Sequence, residues 1–206
     1  KDHNYITQPI RTKRFSLGVG LITLGKAAEK NFDIIHQVKP FLLDISEKTG
    51  ETTSLTVFSG NKAVYIDQVI SKSMIGGQPS IGDRLDLYCS ASGKVLLSSL
   101  TDEQIQVFLR NELLTKKTHK TIVDGEQLMR ELVKVREQGY AVDDEEVELG
   151  GRCIAVPLRN RGGSVVAAVS VMGPTTRITQ REIERIASLM LEDIERASAL
   201  LGYQQQ

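Results

Sequence analysis

Apolar positions along this chain recur in two periods, and the switches between them mark out its elements. From Ser16 onward, Leu17, Leu21, Leu24 and Ala28 fall on one face at helical spacing. Gly18, Gly20 and Gly25 lower the helix propensity of the same stretch, so a helix over 17–37 needs something to pack against. Residues 1–16, polar and carrying Pro9, read as a linker or a strand remnant. Pro40 suits the first turn of a second helix, with Phe41, Leu42 and Ile45 facing one way and Gly50 closing it after Lys48. The period then drops to two. Thr52 to Phe58 and Ala63 to Ile70 alternate on either side of Ser59-Gly60-Asn61-Lys62, which predicts a β-hairpin. Residues 71–86, with Gly76, Gly77, Pro79 and Gly82, predict a loop holding a short strand.

Helical spacing returns over 92–97. Thr101 with Gln104, Asp124 with Gln127, and Thr179 with Glu182 have capping-box spacing. The helix after Asp124 buries Leu128, Leu132 and Val135 and stops at Gly139. Gly139 to Pro174 then reads as a strand, an acidic turn at Asp143-Asp144-Glu145-Glu146, and a hairpin whose arms, 150–157 and 165–171, meet through Arg161-Gly162-Gly163. A last helix sets Ile183, Ile186, Ala187, Met190, Ile194, Ala197 and Leu201 in one stripe. Successive strands joined by short turns imply antiparallel pairing, hence an α+β domain rather than a doubly wound one.

At 206 residues and 40% hydrophobic content the chain can bury a real core, as one domain plus a linker. A net charge of zero argues against a chain that binds nucleic acid over its whole surface. Residues 1–30 nevertheless hold six basic side chains against two acidic ones, which fits either a neighbour that touches something anionic or a solvated start. No run of apolar residues is long enough to span a membrane, and no signal-peptide layout is visible. Two cysteines, Cys89 and Cys153, make no disulfide framework, so the expected compartment is cytoplasmic. A chain that opens on Lys1 reads as a piece of a longer protein.

Candidate chemistry is sparse. The acidic run reads first as a solvated turn. A Mg²⁺ or Ca²⁺ site would want an Asp-x-Asp-x-Asp-Gly loop, and a glycosidase carboxylate pair would want aromatic platforms in a chain that has no Trp. Cys153 lies mid-strand, where a buried structural thiol is the ordinary case. As a nucleophile it would need a His, and His3, His36 and His119 fall on polar or linker segments. Zinc lacks a Cys-x-x-Cys, and neither Gly76-Gly77 nor Gly162-Gly163 forms a phosphate loop. Tyr88-Cys89-Ser90-Ala91-Ser92-Gly93-Lys94 differs: small residues precede a helix, leaving N–H groups at 91–93 able to meet an anion, or simply easing a crowded helix start.

Taken in order, several segments resemble IclR-family transcriptional regulators. They are Leu17-Gly18, Leu24-Gly25, Thr49-Gly50-Glu51-Thr52, Val64-Tyr65-Ile66-Asp67 and Ile81-Gly82-Asp83-Arg84, then Ser92-Gly93-Lys94-Val95-Leu96-Leu97, Gly139-Tyr140 with Asp143 to Glu146, Arg152-Cys153-Ile154-Ala155-Val156-Pro157, and Ser170 with Gly173-Pro174. The resemblance runs from about Phe15 to Tyr203. It implies a wing remnant and linker over 1–25 and an effector-binding domain over 26–206. The fold implied is GAF-like, a curved antiparallel sheet with flanking helices and a pocket on its concave side. A winged helix-turn-helix domain that reads operator DNA would precede Lys1. It further implies a repressor that works as a homo-dimer or tetramer, binds a small organic acid, and has no catalytic role, cofactor, metal or membrane partner. Carried over by position, the effector would meet the amides of Ala91 and Ser92 together with Asp143, Cys153 and Ser170, with Met74 and Leu85 at the mouth. Met172 stands where the family usually has a second Ser, and Gly151 where an apolar residue is frequent. The pocket should therefore depart from a glyoxylate- or pyruvate-type shape. Two rival readings are a GAF-type module binding a nucleotide or chromophore, and an enzyme using Cys153 and Asp143.

Overall fold

The computed structural model describes residues 4–8, 14–29, 33–72 and 79–204, in two units, Lys1–Gln37 and Val38–Gln206. In the first unit, β1 (Ile6–Thr7) pairs antiparallel with β2 (Ser16–Leu17), and α1 follows over Gly20–Glu29. The Gly18 N–H donates to the Tyr5 carbonyl at 2.8 Å, and a Cβ at Gly18 would sit 1.9 Å from the Asn4 oxygen. Gly18 thus admits the chain to a ladder that no larger residue would allow. For this reason Ser16 and Leu17 pair as a strand, where helical spacing predicts the start of a helix.

Helix α2 spans Asp33–Thr49 with Pro40 inside it, so it starts seven residues ahead of the predicted first turn. An interior proline removes one helical hydrogen bond and crowds the preceding turn. Here Val38, Leu42 and Ile45 are wholly buried on either side of it, and their burial outweighs that penalty.

The rest of the second unit runs β3 (Thr52–Ser59), β4 (Lys62–Val69), β5 (Arg84–Asp86), α3 (Ala91–Ser98), α4 (Asp102–Asn111) and α5 (Gly125–Gln138). It ends with β6 (Ala141–Asp144), β7 (Gly151–Arg159), β8 (Val165–Pro174) and α6 (Glu182–Leu200). The six strands β3 to β8 form one sheet in the order β5-β4-β3-β8-β7-β6, every pair antiparallel. This is the α+β architecture expected from the short connections. The sheet curls, so residues on outer strands face one another across its concave side. On the convex side Ile154, Val156 and Leu158 of β7 are fully buried, and α6 packs across that strand.

The concave side holds α3. Ala63, Ala155 and Ala168 present small side chains to it, and Leu96, Leu97, Leu128 and Leu132 complete that core. The approach is closest at Gly93, where a Cβ would lie 2.5 Å from the Leu87 Cα and carbonyl oxygen. Seven consecutive residues of α3, Ala91 to Leu97, are buried.

Helix ends follow their side chains with one exception. Thr101 and Gln104 make both bonds of a capping box, Asp124 accepts from the Gln127 N–H at 2.7 Å, and Gly139 ends α5 at a φ of 81°. Thr179 does not cap α6: its carbonyl accepts from the Glu182 N–H at 2.9 Å, and the N-cap residue, Arg181, has no side-chain cap. A tight turn leads into α6 instead, and the Thr-x-x-Glu spacing there is incidental. No helix among the described residues is long and apolar enough to cross a membrane.

Candidate functional site

The N-terminus of α3 opens into a cavity of about 100 Å³. Ser90, in an extended conformation, caps the helix: its hydroxyl oxygen accepts from the Gly93 N–H at 3.1 Å and donates to the Asp86 carbonyl at 2.8 Å. The first N–H groups, of Ala91 and Ser92, have no carbonyl four residues back within the helix to meet, and both residues line the cavity. With no partner among the described residues, these donors, at the positive end of a helix dipole, favour an acceptor or an anion.

Three neighbouring strands each add one residue at the same level. Asp143 of β6 stands opposite Cys153 of β7, which stands opposite Met172 of β8. Leu85 from β5 and Tyr65 from β4 close the cavity from the far side of the curl, and Gly151 leaves room at its edge.

The charges settle what such a wall accepts. Asp143 is buried, and its Oδ1 accepts from the N–H groups of Glu146 at 2.7 Å and Val147 at 3.3 Å. Burial outweighs those bonds and pushes its pKa up to about 7, with nearby Glu146 adding and Lys94 opposing. Burial also raises the Cys153 thiol, and the Asp143 charge raises it further. Tyr65 is raised chiefly by burial, then by Cys153 and Asp143. Arg152, the one basic residue of the wall, spends its guanidinium on the Asp144 carboxylate and the Ile178 carbonyl. Asp143, raised by burial toward neutral pH, is thus the group that can adjust its charge to a ligand.

The acidic turn separates into four fates. Asp143 faces the cavity, Asp144 pairs with Arg152, Glu145 pairs with Lys120 in a left-handed backbone conformation (φ 62°), and Glu146 pairs with Lys94. Lys94 is 1% exposed and also donates to the Val142 carbonyl at 2.9 Å. It ties α3 to the strand and turn that carry Asp143.

Of the residues expected at the site, Leu85, Ala91, Ser92, Asp143, Gly151, Cys153 and Met172 meet at this cavity. Ser170 does not form part of its wall. It is buried on β8 opposite Ala155, close enough to the Cys153 thiol to oppose the rise in its pKa. Met74 lies outside the described residues. The wall also includes Tyr65, Ser90, Val147, Glu148 and Arg152, which sequence reasoning did not select. The alternation of β4, where Ala63, Tyr65 and Asp67 are buried, was the available signal for Tyr65. Neither His36 nor His119 lines the cavity, and His3 lies outside the described residues, so among the described residues no histidine stands beside Cys153 there. Among the described residues no cluster of three or more His, Cys, Asp or Glu could hold a metal.

Comparison with known proteins places this geometry. Residues 26–199 match the family model "Bacterial transcriptional regulator IclR C-terminal". The chain is 34% identical over 201 residues to the HTH-type transcriptional regulator XynR of Escherichia coli, covering 98% of this chain and 80% of that protein. It is 35% identical over 199 residues to the HTH-type transcriptional repressor AllR of Salmonella typhi, covering 97% of this chain and 73% of AllR. The crystal structure of the Thermotoga maritima IclR is similar with a TM-score of 0.85 at 36% identity, over 97% of this chain and 81% of that one.

Proposed function

This chain belongs to the IclR family of bacterial transcriptional regulators and carries its effector-binding C-terminal domain, and we propose that it is the sensing part of a repressor controlled by a small organic acid. One observation carries the reading. Ala91 and Ser92, whose amides have no partner among the described residues, converge with Asp143 and Cys153 on one cavity whose one basic residue, Arg152, is already paired. At about 100 Å³ the cavity is small for a ligand site. That suits an acid of only a few carbons. Its carboxylate would take the two amides. Asp143 would be protonated against it, or would accept from a ligand hydroxyl. Met172 fills the space opposite Cys153 with apolar bulk, which favours a short alkyl substituent over a second hydroxyl.

Residues 1–25 are proposed as the wing remnant and linker and 26–206 as the sensing domain, with operator DNA bound through a winged helix-turn-helix domain that precedes them. Assembly as a dimer or tetramer is supported by apolar side chains on the first unit: Leu17 is 83% and Val19 66% exposed. Control requires the effector to bind two arrangements of that assembly with unequal affinity.

The test is a thermal-shift screen of short carboxylic and hydroxy acids, followed by calorimetry on variants. Asp143→Asn is expected to keep the fold and change which acids bind. Met172→Ser is expected to favour smaller, more polar acids. If both variants match the parent for every hit, the effector lies elsewhere.

A further inference from the structure

A second cavity, of about 450 Å³, lies at the other end of α3. Helix α3 contributes Ala91 and Ser92 to the first cavity and Val95, Ser98 and Ser99 to the second. Strand β7 likewise gives Gly151 and Cys153 to one and Pro157 and Arg159 to the other. An eight-residue helix is about 12 Å long, so the two spaces are separated by roughly that distance.

The second cavity has the opposite electrostatic character. Its only charged side chains are two guanidiniums, Arg136 and Arg159, and no carboxylate lines it. Arg136 is committed, donating to the Ser98 and Leu100 carbonyls and to Asp102. Arg159 is not: its one side-chain bond goes to the Gly163 carbonyl at 2.9 Å, and it has no ion-pair partner among the described residues. Beside it stands Ser164, at the turn of the β7–β8 hairpin, while Phe58, Val135, Pro157 and Val165 make an apolar floor. A planar cation with open donors above an apolar floor matches a carboxylate at the end of an aryl or alkyl group.

We propose that this cavity is a second ligand site, for amphipathic monocarboxylates, with Arg159 holding the carboxylate and Phe58, Val135 and Val165 holding the apolar tail. Its volume falls within the range of about 300–1,000 Å³ usual for small-molecule sites, whereas the first cavity is too small for such a ligand. Because α3 and β7 reach both spaces, a difference in position at one end is available to the other, and any linkage between the two ligands must be reciprocal.

The test uses the whole chain and 4-phenylbutyrate, an amphipathic monocarboxylate suited to the larger of the two cavities. Methyl NMR reports on both cavities: Val135 and Val165 mark the second, Leu85 and Val147 the first. Titration is expected to move the Val135 and Val165 methyls in a saturable way and to shift those of Leu85 and Val147 less. Arg159→Met, which keeps the apolar stem, is expected to weaken binding about tenfold or more, and 4-phenylbutanol should bind the parent as weakly as 4-phenylbutyrate binds that variant. Three results would overturn the proposal: no saturable shift at millimolar ligand, shifts centred on Leu85 and Val147, or equal affinity of Arg159→Met and the parent.

Discussion

Replacing Lys94 with Met tests whether the buried ion pair holds the acidic turn. The substitution keeps most of the side-chain length but removes the ammonium. It deletes the bonds to Glu146 and to the Val142 carbonyl. Glu146 is 6% exposed, and its Oε2 already lacks a hydrogen-bond partner. Stranding a buried charge in this way costs about 3–5 kcal/mol, a large share of the roughly 5–15 kcal/mol by which a domain is stable. The double variant Lys94→Met/Glu146→Leu removes both charges and leaves apolar groups in their place. It should return to within about 1.5 kcal/mol of the parent, since well-packed hydrophobic replacement of a buried pair is close to neutral.

Because the chain has no Trp, urea unfolding is best followed by far-UV circular dichroism at one fixed protein concentration, and only variants with unchanged m-values are compared. The pH dependence supplies a second check. Burial already raises the Glu146 pKa against the pull of Lys94. Without Lys94 it rises further, so the folded variant takes up a proton that the unfolded chain has released. The deficit of Lys94→Met should therefore shrink as the pH falls. The reasoning fails if the single variant lies within about 1 kcal/mol of the parent, or if the double variant is no more stable than the single one.

Other outcomes follow from the same geometry. The Asp143 pKa of about 7 lies above its ordinary 3.8, so its contribution to stability is present below about pH 4 and is lost as the pH rises through 7. Asp143→Asn should flatten the stability–pH curve across that window by up to about 1.4 kcal/mol per pH unit, as measured by urea titrations at several pH values. Gly93→Ala forces a methyl to 2.5 Å from the Leu87 backbone and should cost about 1–3 kcal/mol, seen as a lower melting temperature. Cys89, pushed up to about 12, and Cys153, raised by burial, should both resist iodoacetamide in the folded protein at pH 8 and both react in urea. Rapid labelling of Cys153 would contradict a thiol held protonated by burial.

Much of the architecture could be read from periodicity because β4, α5 and α6 each bury one face. The alternation of β4, the stripe of α6 and the caps at Thr101 and Asp124 reappear as expected, whereas β3, expected to alternate, is buried on both faces over Thr52 to Thr56 because it lies between β4 and β8 under packed layers. Misreadings arose where tertiary packing overrode a local signal. Pro40 sits inside α2 because its neighbours are buried, and Ser16–Leu17 pair with Ile6–Thr7 because Gly18 can meet Tyr5. The site was less legible. Small residues before α3 signalled the free amides. The row Asp143, Cys153, Met172 depends on register, and a slip of one residue would have turned Val142 or Asp144 inward instead. That row came from the family resemblance, not from spacing. Ser170 is on the same face as Met172 but two residues along β8, which places it behind the wall. The alternation of β4 put Tyr65 on the buried face, but its place in the cavity wall depends on the sheet's curl.

The acidic run shows why charge patterning alone misleads here. As a solvated turn its four carboxylates would be interchangeable, and their mutual repulsion would need only water. In the fold each one fixes something different. Glu145 and Asp144 anchor the turn to Lys120 and to Arg152 of β7, and Glu146 anchors it to α3 through Lys94. These three pairs hold the loop so that the N–H groups of Glu146 and Val147 bind one oxygen of Asp143. A buried pair such as Lys94–Glu146 is weak evidence for stability, since hydrophobic residues could do as well. Its distinctive effect is positional: it links the helix that offers the amides to the turn that offers the protonatable carboxylate. Asp143 can then remain buried, uncommitted at one oxygen and poised near neutral pH, because its three neighbours in sequence are each committed elsewhere.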